Sequence, residues 1–339
     1  MAVRSRGLYF LGITLLAVIC LVIFTANSSI ESPHRFSSWS ETNQHATSSA
    51  PQHRNAFCVF LAEPNETIKE NSEDFYFMGT RMLIYQLLHD PETRTNTSIP
   101  FVVVVTPNVP EWKRAQLTVD GAIVHEISEI KIDWIKPGRP RWEHVMDKLH
   151  VFELVQYDKV LLLDTDMVVT RRLDGIFDDP ASNVLPNRGD PAKVAGDEAP
   201  QPAEFLMAGN GGPGADHTYP APRNDRLNAG FVLFKPSIDM YNYYMSVAQI
   251  EGRFPGGSPE QDLWNYAHRR SGNMPWQQLD PDWTINSPSF DDYKHGIATL
   301  HEKYWRCRDA KLRDVLLKSR WKMEGFFNSY EPAQRALSG

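Results

Sequence analysis

Two aspartates one residue apart are the side chains of this sequence best placed to do chemistry. Asp164 and Asp166 follow the apolar residues of KVLLLDTDMVVT, residues 159–170, a pattern typical of a buried strand. Side chains alternate along an extended chain, so both carboxylates can face one ligand while Thr165 faces away. Unpaired carboxylates are costly to bury, and two oxygen donors on one side suit Mn²⁺ or Mg²⁺. The pair therefore predicts a divalent cation that bridges to a diphosphate, although two surface acids after a strand would give the same pattern.

The composition limits the classes of partner. The chain has 339 residues, of which 42% are hydrophobic and 23% are charged, as in globular proteins. The net charge is −7 and there is no long basic run, so nucleic acid is not an expected partner. An anionic substrate would need a metal ion or a local group of positive side chains.

The elements around the aspartates predict an α/β fold. Apolar runs typical of strands alternate with segments of helical periodicity, which indicates a mostly parallel sheet covered by helices on both faces. The predicted strands are residues 56–62, 99–106, 159–163 and 227–237, and the predicted helices are residues 74–90, 109–117, 144–156, 238–250 and 258–270. In such sheets ligands bind beyond the carboxyl ends of the strands, which is where the two aspartates lie.

The N-terminal region predicts a membrane anchor. Residues 7–26 carry no charge and follow Arg4 and Arg6, which favours a transmembrane signal anchor with residues 1–6 in the cytosol. A cleaved signal peptide is the alternative. Residues 27–55 would form a flexible stem, residues 56–330 a lumenal catalytic domain and residues 331–339 a tail. These expectations imply a single-pass protein of the Golgi or endoplasmic-reticulum membrane.

Two features of the predicted domain remain open. Residues 186–225 are dense in Gly, Pro, Ala and Asp, so they are expected to form either a mobile insertion near the site or inert disorder. Cys58 and Cys307 could form a disulfide in an oxidising compartment or remain separate buried thiols, because spacing alone does not decide the pairing.

The surrounding motifs resemble one enzyme family. The segment RPRWEHVMDKLHVFELVQYDKVLLLDTDMVVTRRLDGIFD is similar to family 8 glycosyltransferases, the glycogenin-like enzymes, and LNAGFVLFKPS and GGSPEQDLWN resemble two later segments of that family. The resemblance extends from about Phe57 to Trp305. It implies the Rossmann-like GT-A fold and metal-dependent, retaining transfer of a sugar from a nucleotide-sugar, typically a UDP-sugar, to a glycan or glycoprotein hydroxyl.

The resemblance also implies roles for individual residues. Asp164, Asp166 and His301 would bind Mn²⁺ or Mg²⁺, although ATLHEKYWR lacks the Gly and the Lys-Pro-Trp order of the family's late motif. The donor would contact Tyr76, Arg139, Lys148, Gly230 and Lys303. The implied catalytic residues are Lys148, Asn228, Glu260 and Gln261, with Glu260 where the family usually has Asp.

Two other functions remain open at this point. LLLDTDMVVT also resembles the first motif of haloacid-dehalogenase-type phosphatases, in which the first Asp is a nucleophile and the second a general acid. A membrane-tethered, non-catalytic protein that binds a sugar or nucleotide on the glycosyltransferase fold is the third possibility. The phosphatase would need further acids at a strand end, for which FDDP and FDDY are the candidates.

Overall fold

The computed structural model of the protein describes residues 54–63, 73–214 and 216–338. The strands, in chain order, are β1 (Asn55–Leu61), β2 (Phe101–Val105), β3 (Ile123–Glu126), β4 (Lys159–Leu163), β5 (Met167–Val169), β6 (Leu185–Pro186), β7 (Glu204–Phe205), β8 (Met207–Gly211), β9 (Leu227–Phe234), β10 (Gln277–Gln278), β11 (Ile285–Asn286) and β12 (Thr299–His301). The α-helices are α1 (Phe75–Ile84), α2 (Glu111–Val119), α3 (Ile238–Ala248), α4 (Pro259–Ala267), α5 (Phe290–Lys294) and α6 (Ala310–Ser338).

A seven-stranded sheet with the order β10-β8-β9-β4-β1-β2-β3 forms the centre of the fold. The β4–β1, β1–β2, β2–β3 and β10–β8 pairs are parallel, whereas β9 runs antiparallel to both β4 and β8. The prediction of an α/β fold with a mostly parallel central sheet is therefore confirmed.

The central strands are apolar on both faces because the sheet is buried on both. In β4, Val160 and Leu162 contribute to one hydrophobic core, while Leu161 and Leu163 contribute to the core on the opposite face. This alternation follows from the two-residue period of a strand. Both cores hold β4 in place, and β4 in turn fixes the backbone that leads directly into Asp164.

A second sheet of three strands, in the order β11-β12-β5, carries the other part of the site. Strand β5 begins directly after Asp166, and β12 pairs with it so that His301 lies opposite Met167. Strand β11 pairs with β12 in parallel and places Asn286 beside His301. The two sheets thus bring a late histidine next to the aspartates through backbone pairing.

Helix α1 packs directly on the turn that contains the aspartates. The Asp74 side chain caps the helix by accepting hydrogen bonds from the backbone N–H groups of Tyr76 and Phe77, at 3.1 and 3.0 Å. Gly79 lies so close to the Thr165 carbonyl oxygen that a Cβ atom would overlap with it. The absence of a side chain at Gly79 therefore allows the helix to support the turn between Asp164 and Asp166.

Two predicted helices differ in type from the observed ones. The segment predicted as a helix over residues 144–156 is a 3₁₀-helix, Val145–Glu153, and the one predicted over residues 74–90 ends in a π-helical turn, Tyr85–His89. Side chains with helical spacing are compatible with all three helix types, so the apolar pattern identified the helices without fixing their hydrogen bonding.

Two segments expected to be irregular contain regular structure. Within residues 186–225, β8 pairs with β9 and β10, so part of this stretch belongs to the central sheet. The boundary expected at residue 330 falls inside α6, which continues to Ser338. The sequence of β8, MAGNG, consists mostly of small residues. Its place in the sheet therefore depends on pairing with β9 and β10 rather than on a periodicity of its own.

Across the described ranges no helix combines the length and the apolar character needed to span a bilayer, and the predicted anchor over residues 7–26 lies outside those ranges. The predicted localisation in a Golgi or endoplasmic-reticulum membrane is accordingly corrected.

Cys58 and Cys307 are free, buried thiols, and burial raises the pKa of each.

Candidate active site

Asp164, Asp166 and His301 form the centre of the candidate site. Nε2 of His301 lies 2.9 Å from Oδ1 of Asp166 and 3.7 Å from Oδ2 of Asp164. One potential ligand atom from each of the three residues lies within 4.8 Å of the others. Two carboxylate oxygens and one imidazole nitrogen form a donor set that suits Mn²⁺. The structure thus brings together the three residues that the resemblance implied as metal ligands.

Gly230 makes the close approach of these ligands possible. A Cβ atom at this position would lie 2.5 Å from Cε1 of His301 and 2.7 Å from Oδ2 of Asp164. The Gly230 carbonyl also accepts a hydrogen bond of 2.7 Å from the backbone N–H of Asp164. Strand β9 therefore supports the site through its backbone, at a position where any side chain would displace two of the potential ligands.

Two lysines flank the carboxylates. Nζ of Lys148 donates to Oδ1 of Asp164 at 2.7 Å and to Oε1 of Glu260 at 3.1 Å, while Nζ of Lys303 contacts Oδ2 of Asp166. Lys148 and Glu260 are both buried. Each carboxylate in the group therefore contacts an ammonium group, with Lys148 shared by Asp164 and Glu260, and such pairing offsets the cost of keeping these charges away from water.

The pKa values of these groups follow from burial and from charge pairing. Burial opposes ionisation of Asp166, but His301 and Lys303 outweigh it and hold the pKa of Asp166 well below its usual range. Burial also disfavours the charged form of Lys148, yet Asp164 and Glu260 raise its pKa. For Glu260 the effect of burial dominates, and the pKa is raised despite the nearby Lys148 ammonium.

All of the predicted site residues line one cavity of about 610 Å³. Besides the residues already described, the cavity wall includes Tyr76, Arg139, Asn228 and Gln261. Other lining residues were not predicted from the sequence, among them Glu63, Arg141, Trp142, Glu143, His144, Asn286 and Ser287. Those from Arg141 to His144 lie inside the RPRWEH segment that carried the resemblance, so proximity to Arg139 could have indicated them. No pattern in the sequence indicated Asn286 or Ser287.

The side chains of Asn228 and Gln261 are anchored through their oxygen atoms. Oδ1 of Asn228 accepts from the backbone N–H of Gly230 at 2.9 Å, and Oε1 of Gln261 accepts from that of Ala229 at 3.1 Å. These bonds orient both side chains against β9. Their NH₂ groups donate to no residue that the structure describes, so they are available to a ligand in the cavity.

Aromatic and cationic side chains surround the end of the cavity near α1. Nζ of Lys303 lies 5.7 Å from the centroid of the Tyr76 ring, and Trp305 meets the same ring edge-on at 5.4 Å. Elsewhere in the cavity lining the Arg139 guanidinium lies 5.5 Å from the centroid of the Trp142 ring. The cavity lining therefore offers aromatic rings and positive charge in addition to the carboxylates.

Curated proteins with similar sequences include sugar transferases. The chain is 29% identical over 301 residues to an uncharacterised protein of Schizosaccharomyces pombe, an alignment that covers 78% of this chain and 79% of the relative. It is 27% identical over 219 residues to galactinol synthase 6 of Arabidopsis thaliana, with 62% and 60% covered. Glycogenin-1 of Oryctolagus cuniculus is 25% identical over 178 residues, with 50% of this chain and 41% of glycogenin covered. The alignments thus span less than two thirds of either named enzyme.

Neither family models nor solved structures identify a family for this chain. No protein-family profile matches the chain. The glycosyltransferase GlyE of Streptococcus pneumoniae TIGR4 superposes with a TM-score of 0.47 at 15% identity, over 81% of this chain and 64% of that structure. The sequence relationship to galactinol synthases and glycogenins therefore supports a glycosyltransferase.

Proposed function

We propose that this protein transfers a sugar from a nucleotide-sugar, specifically a UDP-sugar, to a hydroxyl group of a glycan or glycoprotein in a metal-dependent, retaining reaction. The observation that carries the proposal is that one cavity is lined by Asp164, Asp166 and His301 together with two lysines, Lys148 and Lys303. This combination of a divalent-cation donor set and flanking ammonium groups suits a diphosphate. The relatives named as galactinol synthase and glycogenin support the same class of reaction.

The side chains of the site have separable tasks in this reaction. Asp164, Asp166 and His301 would hold Mn²⁺, or Mg²⁺, which would supply positive charge to the leaving diphosphate. Lys303 and Lys148 would donate hydrogen bonds to the same phosphate oxygens, since their ammonium groups already lie among the carboxylates. Tyr76 would stack on the base, and Arg139 would contact the nucleotide.

The covalent change is a same-face displacement at the anomeric carbon. The bond from this carbon to the leaving phosphate oxygen breaks, a bond to the acceptor oxygen forms, and the acceptor proton passes to the departing phosphate. Glu260 accepts a hydrogen bond from Lys148 at 3.1 Å. We assign Glu260, together with Asn228 and Gln261, to positioning the sugar rather than to nucleophilic attack. Detection of a covalent glycosyl-enzyme in the wild type would contradict this assignment.

No observation favours the phosphatase. That mechanism requires further acids beside Asp164, and the candidates came from FDDP and FDDY. Asp179 instead accepts from Trp283 Nε1 at 2.8 Å, and Asp292 forms a capping box with Ser289. Neither acid lines the cavity.

The test is metal-dependent release of a nucleoside diphosphate by the full chain. A panel of UDP- and GDP-sugars is incubated with Mn²⁺, Mg²⁺ or a chelator, because slow donor hydrolysis reports the activity even without an acceptor. We expect turnover of one UDP-sugar that requires the metal. Asp166→Ala should abolish it, and Asp291→Ala, which removes a half-exposed acid outside the cavity, should not.

Two results would count against the proposal. Turnover that is insensitive to the chelator and to Asp166→Ala would contradict a metal-dependent mechanism. Folded wild-type protein that releases no nucleoside diphosphate, but binds a sugar without metal, would instead indicate a non-catalytic binding protein.

A further inference from the structure

Asn286 and Ser287 lie in the wall of the cavity, and none of the roles assigned above involves them. Asn286 ends strand β11, and Ser287 follows it. They belong to the small sheet that also carries His301, so the segment is built into the structure of the site.

Backbone pairing fixes the position of this segment relative to His301. Asn286 lies opposite His301 in the β11–β12 pair, and the backbone N–H of Ser287 donates to the His301 carbonyl at 3.2 Å. Gly212 is packed so closely against this segment that a Cβ atom there would lie 2.9 Å from Nδ2 of Asn286. The Asn286 amide therefore lies against the backbone of a neighbouring loop, on a residue whose backbone pairs with that of a potential metal ligand.

The Asn286 amide differs from the other amides of the cavity. The oxygens of Asn228 and Gln261 are both occupied by backbone N–H groups of β9. The Asn286 side chain forms no hydrogen bond with any of the residues that the structure describes, although it is only partly exposed. It offers one acceptor and an NH₂ donor together, which is the pair that a hydroxyl group can satisfy.

Ser287 has an unusual backbone conformation. Its φ is +58°, in the left-handed region that residues other than glycine rarely adopt, and it precedes Pro288, which further restricts the backbone. Within the described ranges only Ser98 shares a positive φ among non-glycine residues. Such strain persists where the surroundings impose it, and here it directs a small hydroxyl-bearing residue to the cavity wall.

We propose that Asn286 and Ser287 form a hydroxyl-binding subsite for a carbohydrate or polyol. The hydroxyl could belong to the sugar being transferred or to the acceptor, because both carry the same group into this cavity. The inference rests on the proposed function, and it assigns to the β11 segment a contact that the metal ligands, the lysines and Glu260 do not provide.

The experiment compares Asn286→Ala and Ser287→Gly with the wild-type full chain. The first change removes the amide, and the second removes the CH₂OH group without adding backbone strain, because glycine readily adopts the positive φ. Donor KM is measured from nucleoside-diphosphate release without acceptor. Acceptor KM is measured from the stimulation of that release by a panel of monosaccharides, disaccharides and polyols. Ser98→Gly is the matched control, since Ser98 has the same φ outside the cavity.

Each outcome decides the inference. A rise of roughly five- to tenfold in one KM for both variants, at unchanged melting temperature, supports the subsite. The constant that rises identifies the source of the hydroxyl, the donor sugar or the acceptor. Unchanged donor and acceptor KM values in both variants overturn the inference while leaving the proposed function intact. Absence of release from every donor by the wild type would overturn the proposed function and this inference with it.

Discussion

Gly230 illustrates, at the scale of single residues, how the site depends on the absence of a side chain. His301 and Asp164 approach the backbone of β9 so closely that a Cβ atom at this position would meet both, at 2.5 and 2.7 Å. Neither contact is with the mobile end of a long side chain. The residue therefore acts on the potential metal ligands without offering a ligand atom of its own.

We accordingly expect Gly230→Ala to weaken Mn²⁺ binding by at least about tenfold, which corresponds to roughly 1.4 kcal/mol. The added methyl group forces His301 and Asp164 apart and disturbs the donor set. Calorimetric titration with Mn²⁺ measures the effect, with circular dichroism to verify the fold. Gly196→Ala is the control, because nothing lies within 4 Å of the Cβ position there. Equal Mn²⁺ affinities in the two variants would show that the site does not depend on this close approach.

The residues of the site differ in how far the sequence could predict them. Asp164 and Asp166 were visible because an apolar strand leads directly to them. His301 is separated from Asp166 by more than a hundred residues, so local periodicity could not place it, and only the resemblance indicated it. Asn286 and Ser287 had no indication at all, since their position depends on the pairing of β11 with β12 and on a φ value that the sequence does not encode locally.

At the scale of elements, buried charge holds the start of α1 against α2. Lys113 on α2 is 3% exposed, and its Nζ donates to both carboxylate oxygens of Glu63, at 2.8 and 2.7 Å, and to Asp74 at 2.6 Å. Asp74 caps α1 two residues before Tyr76. The ion pairs therefore join the end of β1, the start of α1 and the nearby cavity wall.

Lys113→Met should destabilise the fold by about 2–4 kcal/mol, because it leaves two largely buried carboxylates without a partner. Urea unfolding at neutral pH measures the difference. Lys294→Met is the matched control, since its pair with Asp291 is about half exposed on both sides and should contribute less than about 0.5 kcal/mol. Similar losses in both variants would argue that the Lys113 pairs are no stronger than surface pairs.

Helix α6 stabilises the sheet that carries His301. The buried side chains of Leu312, Leu316, Met323 and Phe327 recur at helical spacing and pack in one core with Leu300 of β12. The spacing of these residues in the sequence is itself helical, although no helix was predicted there. By contrast β8, with its small side chains, carried no such signal, and it becomes a strand because β9 and β10 pair with it.

Leu316→Ala is therefore expected to cost about 2–4 kcal/mol of stability, since it opens a cavity beneath the small sheet. Leu317→Ala, at a partly buried position on the same helix, should cost clearly less. Chemical unfolding of both variants separates the effect of burial from that of helix propensity, which is identical in the two substitutions. If the two losses matched, α6 would not be packed against the sheet in the way described.

At the scale of the whole molecule, one fully buried histidine links folding to pH. The Nδ1–H group of His268 donates to the Met274 carbonyl at 2.7 Å, and Nε2 accepts from the Tyr244 hydroxyl. The ring is 0% exposed within the core that packs on one face of the central sheet. Burial lowers the pKa of His268 to about 4, because the charged form would lose its hydration.

The sign of the pH effect follows from this lowered pKa. Between pH 6.5, about the value of an unperturbed histidine, and pH 4 the unfolded chain binds a proton that the folded protein does not, so stability falls as the pH decreases through this window. The contribution is present in full above pH 6.5, and its loss amounts to about 3 kcal/mol near pH 4.

His268→Gln keeps a donor and an acceptor but cannot be protonated, so its free energy of unfolding should decline less steeply with falling pH than that of the wild type. Urea unfolding at intervals from pH 7 to pH 4 measures both slopes, with His125→Gln, an exposed position on β3, as control. Parallel slopes for wild type and His268→Gln would mean that the buried imidazole does not govern the acid sensitivity of the fold.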